Sequence, residues 1–427
     1  MRCIRSLYQN RAQQQLWFHE LTRGENLENL GAVRTLPNQK CFRMKGKEMR
    51  IALVAPLAEA VPPKLYGGTE RVVSWLAEEL VRQGHKVTLF ASGGSRTAAN
   101  LVVCAPQSLR LAGIRDHLGS TLRMLREVRQ RADDFDIIHF HVDLLPQALF
   151  HDLAHKCLTT LHGRLDQPDI LPLYEAYPEM PLVSISNAQR LPMPANANWL
   201  ATIPHGLPSQ VCPFDPEGGE YLAFLGRISP EKRPDRAIEI AKRSGVPLKI
   251  AAKVDDADLT YFKAEIEPLL EHPLIEFLGE IDERQKCEFL GKARALLLPI
   301  DWPEPFGLVM IEAMSAGTPV IAWRKGSVAE VVTDRVSGVI VESIEAAVAA
   351  TKESAMMSRA AVRAEFEMRF TVERMARAYL DAYRSLLARA PTITDFATSA
   401  KALMPTAREH VALRTAGVDS PANQASG

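Results

Sequence analysis

The sequence lacks the features that mark a membrane-spanning protein, a nucleic-acid-binding protein or a metal protein. No stretch approaches the roughly 18 consecutive apolar residues of a membrane-spanning helix. The 51 basic residues balance the 51 acidic ones, so no nucleic-acid partner is expected. The six cysteines are scattered without a C-x-x-C pair. This scatter argues against a zinc site and a disulfide framework and is typical of a reducing cytoplasm.

The N-terminal region has little apolar periodicity. Residues 1–48 are polar and lack the apolar core of a secretory signal. The first strand pattern, RIALVA, starts at Arg50, so we expect the folded protein to begin at Met49. Residues 1–48 are then a disordered extension or a start-codon error, and a small accessory helix around residues 14–21 is the alternative. Residues 391–427 are expected to form a low-order tail.

The most informative stretch is WPEPFGLVMIEAMSAGTPVIA, residues 302–322. The apolar run before it, residues 295–300, predicts a buried parallel strand. Pro303 and Pro305 favour an extended loop after that strand, because each disfavours helix at the residue before it. A short helix is expected to open at Phe306-Gly307 and to end at residues 317–319, where the next strand follows.

Two carboxylates and three amides of this stretch are predicted to face one pocket. Glu304 lies on the loop, and Glu312 lies about one turn into the helix. Between them, the amides of Phe306, Gly307 and Leu308 are helix-start donors that can hold an anion. Carboxylates bind hydroxyl groups and amides bind phosphate oxygens, so this combination favours a sugar joined to a phosphate.

The stretch resembles the E-x7-E signature of retaining glycosyltransferases of the GT-B fold, in glycosyltransferase family 4. A bare E-x7-E pattern is weak, but the flanking Pro-Phe-Gly-Leu and Ala-Met-Ser-Ala-Gly-Thr-Pro-Val segments make the match specific. The resemblance covers roughly residues 49–390. It implies an α/β protein in which two Rossmann-like, doubly wound domains face each other across a cleft.

The resemblance also implies domain limits. Residues 49–215 are expected to form an N-terminal acceptor domain, and residues 216–370 a C-terminal donor domain for a nucleotide-sugar. Residues 371–390 predict a helix that crosses back to the first domain.

Two segments of the first domain match the family. Gly67-Gly68-Thr69-Glu70 opens a helix and resembles the Gly-Gly-x-Glu loop over the cleft, which implies donor contact by Gly67 and Gly68. It is not G-x-G-x-x-G, so a dehydrogenase is disfavoured. His162 ends a predicted strand and resembles the family's cleft histidine near the transferred sugar; a surface-loop histidine is the alternative. His205 stands where the family's strand-Pro-Asn-Gly segment has asparagine.

In the second domain, Arg227 and Lys232 follow a predicted strand and resemble the family's G-R-x-x-x-x-K, which neutralises the donor diphosphate. The family's Gly-rich turn is replaced near residue 253, a change that can alter nucleotide choice or bring Lys253 to the phosphates. By the same resemblance, Glu304 binds sugar hydroxyls and Glu312 binds the ribose, while Phe306, Gly307 and Leu308 bind the donor.

The implied activity is transfer of a sugar from a nucleoside-diphosphate sugar, UDP first and GDP next, to an acceptor hydroxyl with retention of configuration. No metal or other cofactor is expected, because Arg227 and Lys232 can stabilise the leaving group. The acceptor is a sugar, a lipid-linked sugar or a small molecule, and the location is cytoplasmic. A basic helix at residues 118–131 is either a solvated face or a peripheral membrane contact. The alternatives are a nucleotide-sugar epimerase and a catalytically silent sugar-nucleotide-binding protein.

Overall fold

The computed structural model describes residues 48–64 and 67–389. The expectations for an N-terminal extension and a C-terminal tail therefore lie outside the described residues, apart from Glu48. Among the described helices, none is both long and apolar enough to cross a bilayer.

The first half of the described chain is built on a seven-stranded sheet in the order β3-β2-β1-β4-β5-β6-β7, and all its neighbours pair in parallel. Its strands are β1 Arg50–Val54, β2 Lys86–Ser92, β3 Asn100–Ala105, β4 Ile137–Phe140, β5 Cys157–Thr160, β6 Leu182–Ser184 and β7 Trp199–Thr202. The strand order reverses between β1 and β4, and ligand crevices of open α/β sheets form at such a reversal. The pattern analysis missed β3, which is only partly buried.

The second half repeats this design with a six-stranded parallel sheet in the order β10-β9-β8-β11-β12-β13. Its strands are β8 Tyr221–Arg227, β9 Leu248–Lys253, β10 Ile275–Gly279, β11 Ala293–Leu298, β12 Val320–Trp323 and β13 Gly338–Val341. Here the order reverses between β8 and β11. The predicted α/β class with two doubly wound, Rossmann-like halves is therefore confirmed.

Helices cover the faces of both sheets. The described α-helices of four or more residues are α1 Gly68–Arg82, α2 Leu118–Gln130, α3 Leu145–Phe150, α4 Leu171–Ala176, α5 Pro234–Ser244, α6 Glu283–Gly291, α7 Leu308–Ser315, α8 Val328–Val331, α9 Ile344–Ser354, α10 Arg359–Arg369 and α11 Val372–Arg389. Phe262–Ile266 forms a π-helix. Helix α6 begins with a capping box, in which Asp282 and Gln285 each accept from the other's backbone amide. This box fixes the first turn of a helix that contributes to the site.

The chain crosses between the two halves at two neighbouring points. Leu207 bridges Thr371 in parallel, with Leu207 N donating to Phe370 O at 3.0 Å and Val372 N donating to Leu207 O at 3.1 Å. A Cβ on Gly206 would lie 2.3 Å from Thr371 O, so only glycine allows this approach. Beyond the crossing, α11 packs its buried residues with α1 and the first sheet.

One expectation about the cysteines is wrong. Cys212 and Cys287 are paired as a disulfide, with a Cα–Cα distance of 4.9 Å that lies in the usual range. The two residues are separated by 75 positions in the sequence. They meet because the segment that joins the halves packs against α6, a tertiary contact that cysteine spacing alone does not reveal.

Candidate functional site

A cavity of about 670 Å³ lies between the two halves, at the carboxyl ends of the central strands. Every site residue predicted from the sequence lines it: Gly67, Gly68, His162, Arg227, Lys232, Glu304, Phe306, Gly307, Leu308 and Glu312. The fold brings these residues together although they lie up to 245 positions apart in the chain, from 67 to 312.

The loop that carries Glu304 is held by close backbone packing. Gly307 adopts a φ of +78°, and a Cβ there would lie 2.7 Å from the Met310 methyl group. From the other side, a Cβ on Gly326 would lie 2.3 Å from Glu304 O and 2.4 Å from Glu304 N. Ser327 adds two bonds, from its amide to Glu304 O at 2.9 Å and from its hydroxyl to Phe306 O at 3.0 Å. Glycine at 307 and 326 therefore lets the chain fold tightly around Glu304.

Glu304 is 8% exposed and forms an ion pair with Lys232, whose Nζ lies 2.5 Å from Glu304 Oε2. The same Nζ lies 4.6 Å from the centroid of the Trp302 ring, within the range of a cation–π contact. These neighbours restrain the lysine side chain at the mouth of the α7 N-terminus. A carboxylate and an ammonium group are thus placed side by side, next to backbone donors.

Those backbone donors are the amides of Phe306, Gly307 and Leu308, as expected from the sequence. Helix α7 begins at Leu308, with Gly307 as its N-cap. Within residues 48–64 and 67–389, none of the three amides has a hydrogen-bond acceptor. They are therefore available to phosphate or sugar oxygens.

Arg227 ends strand β8 and is surrounded by acidic side chains. It contacts Glu231 at 2.5 Å, Asp258 at 3.5 Å and Asp255 at 3.9 Å. Lys253, at the end of the adjacent β9, pairs with the same Asp255 at 2.6 Å. Both cations reach the cavity lining. An incoming anionic group therefore has to compete with carboxylates for them.

Glu312 is 5% exposed and pairs with Lys286 of α6, with Nζ 2.5 Å from Oε1. Lys286 belongs to none of the sequence motifs that predicted the site. From the sequence alone, a lysine near the start of a helix is expected to point into solvent. The packing of α6 beside α7 brings Lys286 to Glu312 instead.

The first half contributes backbone and histidine side chains to the cavity. A Cβ on Gly68 would lie 3.3 Å from Leu308 Cδ1, so α1 begins against the start of α7. Gly67 has a φ of +151°, and a Cβ there would meet the Pro63 ring at 2.8 Å. Gly67 therefore has a steric and conformational reason to be glycine, whereas Gly68 only makes a close contact with a flexible leucine side chain.

Four imidazoles form a row that leads away from the cavity; three are buried and His162 is partly buried. The ring centroids of His205 and His162 are 5.2 Å apart, those of His162 and His141 5.1 Å, and those of His141 and His139 4.1 Å. His141 Nδ1 and His162 Nε2 share a hydrogen bond of 2.9 Å. At the inner end, His139 bonds Thr160 at 2.7 Å and Tyr383 of α11 at 2.8 Å.

Burial keeps this row uncharged. It lowers the pKa of His162 to about 3 and lowers the pKa values of His139, His141 and His205 well below their usual range, with further repulsion among the rings. Within the described residues, His162 Nδ1 and His205 Nδ1 are buried without a hydrogen-bond partner. Because unpaired buried polar atoms are costly, neutral groups at the cavity are ready for a ligand hydroxyl.

Two solved structures share this architecture. The avilamycin A biosynthesis glycosyltransferase AviGT4 aligns with a TM-score of 0.63 at 23% identity, covering 80% of this chain and 99% of that one. Anabaena HepE, solved in complex with UDP and glucose, aligns with a TM-score of 0.61 at 19% identity, covering 79% and 100%. Two parallel sheets facing across a cleft define the GT-B fold, and this chain has it.

Sequence comparison gives the family. The model "Glycosyltransferase Family 4" matches residues 66–200, and the model "Glycosyl transferases group 1" matches residues 213–367. The chain therefore belongs to the group 1, family 4 glycosyltransferases, as the resemblance of its motifs indicated.

Relatives in the family are distant. The phosphatidyl-myo-inositol mannosyltransferase of Mycobacterium leprae is 26% identical over 74% of this chain and 90% of its own length. The D-inositol 3-phosphate glycosyltransferase of Salinispora tropica is 31% identical over 44% of this chain and 42% of its own.

Proposed function

We propose that this glycosyltransferase moves a sugar from a nucleoside-diphosphate sugar to an acceptor hydroxyl, with retention of anomeric configuration and without a metal ion. The observation that carries the proposal is the Lys232–Glu304 pair at 2.5 Å beside the N-terminal amides of α7. A cation and free amides suit a diphosphate, and an adjacent carboxylate suits the hydroxyls of the sugar attached to it.

The chemistry follows from charge. Breaking the bond between the anomeric carbon and the diphosphate leaves negative charge on phosphate and an oxocarbenium-like sugar. Lys232, Arg227 and the α7 amides stabilise that phosphate charge, which lowers the barrier to cleavage. In the proposed retaining route, the departing phosphate oxygen accepts the proton of the attacking hydroxyl on the same face of the sugar. Glu304 holds the sugar hydroxyls and is not required as a nucleophile.

The neutral histidines fit this scheme as sugar contacts. His162 lines the cavity, and burial holds its pKa at about 3, so it is uncharged at neutral pH. A neutral imidazole can bond a hydroxyl without adding positive charge next to the developing oxocarbenium ion. We assign His162 to the transferred sugar on this basis.

UDP is the first donor nucleotide to examine and GDP the second. HepE was solved with UDP-glucose as well as with UDP and glucose. Its 17–19% identity to this chain supports a shared fold only, so the base is left to experiment.

Acceptors are ranked from the relatives' names. Both the mannosyltransferase and the glycosyltransferase named above act, by name, on inositol derivatives. We therefore place phosphatidylinositol and inositol phosphate first in the acceptor panel, followed by lipid-linked and free sugars.

A peripheral membrane contact would bring a lipid acceptor to the cleft. Exposed apolar and basic side chains alternate on and before α2: Leu111, Ile114, Leu118 and Leu122 with Arg115, Arg123 and Arg126. We propose that this face binds anionic bilayers from a cytoplasmic location. Wild type should co-sediment with phosphatidylglycerol vesicles and Leu118→Glu should not; equal sedimentation of both would contradict the assignment.

The test of the proposed function is calorimetric titration of the full chain with UDP, GDP and ADP in the presence of a chelator. Selective binding of one nucleotide is expected, followed by NMR of the product from the matching donor to read its anomeric configuration. A folded chain that binds none of the three contradicts the proposal.

The same experiments distinguish the proposed transferase from an epimerase and from a silent sugar-nucleotide-binding protein. An epimerase would convert the donor sugar with no acceptor present. A silent binding protein would bind the nucleotide but give neither transfer nor slow donor hydrolysis.

A further inference from the structure

A chain of alternating charges crosses the cleft beside the predicted ribose site. It consists of Arg71 on α1, Glu283 and Lys286 on α6, and Glu312 on α7. Arg71 Nη1 lies 2.6 Å from Glu283 Oε2, the same oxygen lies 3.0 Å from Lys286 Nζ, and that Nζ lies 2.5 Å from Glu312 Oε1. None of the sequence motifs includes the first three residues.

Three of the four members of this charge chain are largely withdrawn from solvent. The side chains of Arg71, Lys286 and Glu312 are 11%, 12% and 7% exposed, whereas that of Glu283 is 32% exposed. Charges in such a setting are screened less by water and salt than surface pairs are. Their alternation leaves no net charge, so each group is stabilised only while its neighbours are in place.

Lys286 is placed to orient Glu312. The capping box at Asp282 and Gln285 fixes the first turn of α6, and Lys286 follows directly. Its Nζ contacts Oε1 of Glu312, a carboxylate that lines the cavity, and this contact restrains the carboxylate. Without Lys286, the carboxylate would lose its fixed orientation and would stand as an uncompensated negative charge near the donor diphosphate.

Glu283 and Arg71 extend this restraint to the other half of the molecule. Glu283 forms ion pairs with Lys286, three residues further along α6, and with Arg71 of α1, the helix that starts at the Gly67–Gly68 loop. The orientation of a donor-binding carboxylate is thereby tied to the opposite wall of the cleft.

We propose that Lys286 is a positioning residue that orients Glu312 for the ribose hydroxyls of the donor, and that Glu283 and Arg71 couple this orientation to the first half. The inference rests on the proposed function, because it takes a nucleotide as the ligand of Glu312. Ribose recognition should then depend on Lys286 although Lys286 need not touch the ribose.

The experiment is a double-mutant cycle on nucleotide affinity, with Lys286→Met and Glu312→Gln, measured by calorimetry with UDP, or with GDP or ADP if titration selects one of those. Lys286→Met should weaken binding by about tenfold or more, the usual effect of losing a charged hydrogen bond. In the Glu312→Gln background the same change should have little further effect, because the two residues act through one contact.

A second readout does not depend on how much of each preparation is folded. The ratio of affinities for the nucleotide and its 2′,3′-dideoxy analogue should be large in wild type and should approach one in Lys286→Met. Arg71→Met should shrink the ratio less, and should lose its effect in a Glu283→Gln background.

The matched control is Lys292→Met, at the other end of the same helix, where Lys292 pairs with Glu288 on the surface. It should leave both readouts unchanged. Wild-type affinity in Lys286→Met, or a tenfold loss that persists in the Glu312→Gln background, would overturn the positioning role. Failure of the wild-type chain to bind any nucleotide would instead contradict the proposed function, and this inference with it.

Discussion

The two walls of the cleft are built on the same kind of sheet but carry different side chains. The wall of the second half presents ion pairs, Lys232 with Glu304 and Lys286 with Glu312, together with Arg227 among three carboxylates. The wall of the first half presents glycine backbone and the neutral imidazoles of His162 and His205, together with arginines that include Arg71. Parallel strands bring the segments that follow them together at their carboxyl ends, and the residues at those ends decide what is bound.

In the proposed reaction, this difference gives the two walls different roles in binding the donor. Diphosphate charge is handled by one wall, where cations are already held in place by carboxylates. Hydroxyl groups are proposed to be bound from both walls, by Glu304 and Glu312 on the charged wall and by the neutral histidines of the first half. A charged histidine there would oppose the developing sugar cation. Four predictions examine this division.

The largest effect is expected at the charged wall. Lys232→Ala and Glu304→Ala should each lower turnover by roughly a hundredfold to a thousandfold, because transition-state charge loses a preorganised partner. Steady-state kinetics with the identified donor measures this. Lys325→Ala is the control, since Lys325 pairs with Asp301 at 3.2 Å and is 46% exposed. Wild-type rates in both active-site variants would contradict the site assignment.

The next effect concerns the packing beneath Glu304. Gly326→Ala would place a methyl group 2.3 Å from Glu304 O and force the loop to move. We expect a loss of about 1–3 kcal/mol in the free energy of unfolding and a large fall in turnover. Gly245→Ala is the matched control, because Gly245 also has a positive φ of +70° but nothing lies within 4 Å of its Cβ position. Equal behaviour of the two variants would exclude steric packing as the reason for glycine at 326.

The next effect is expected from the four neutral histidines, in the pH dependence of the free energy of unfolding. Burial lowers the pKa values of the four histidines in the folded state, whereas the unfolded chain binds protons near pH 6.5. The free energy of unfolding should therefore fall as pH drops below about 6.5, by about 1.4 kcal/mol per pH unit for each histidine. Above that pH both states are neutral, so the row contributes no dependence.

Urea unfolding between pH 7.5 and 5.5 measures this slope. Asp143 opposes it, since burial raises its pKa to about 6 and the folded state then takes up a proton. The comparison of wild type with His141→Gln cancels this contribution and that of other groups. The variant's slope should be shallower by about one proton, and equal slopes would show that His141 is not held neutral.

The smallest effect is expected at the inner end of the row. Tyr383→Phe removes the hydroxyl that bonds His139 Nδ1 at 2.8 Å while keeping the ring. We expect a loss of about 1 kcal/mol in the free energy of unfolding and little change in turnover, measured by urea unfolding and by kinetics. A large loss of turnover would mean that the histidine row also influences catalysis at the cavity, in addition to stabilising the fold.

The sequence allowed much of the charged wall to be predicted, because short motifs place its residues on a strand end and the following helix start. Arg227, Lys232, Glu304 and Glu312 all follow from local patterns of this kind. The E-x7-E spacing, for example, joins a residue of the loop before α7 to a residue of α7. These two segments are adjacent in the chain, so their proximity could be predicted.

What could not be predicted depends on contacts between distant segments. His139 and His141 alternate with apolar residues at the end of β4, but only the parallel pairing of β4 with β5 adds His162 to the row. Arg71 and Glu283 are 212 positions apart, and neither lies in a pattern that suggests a partner. The Cys212–Cys287 disulfide could not be predicted for the same reason, because its two cysteines are 75 positions apart.

The paired crossings at Leu207 and Thr371 have a mechanical consequence. Both connections between the halves pass through one parallel bridge, so any rotation of one half against the other has its pivot there. Helix α11 lies beyond the second crossing and would swing with the first sheet as a single lever arm. Distance reporters attached far from this pivot, across the open mouth of the cleft, would record the widest travel, and reporters beside Gly206 would record almost none.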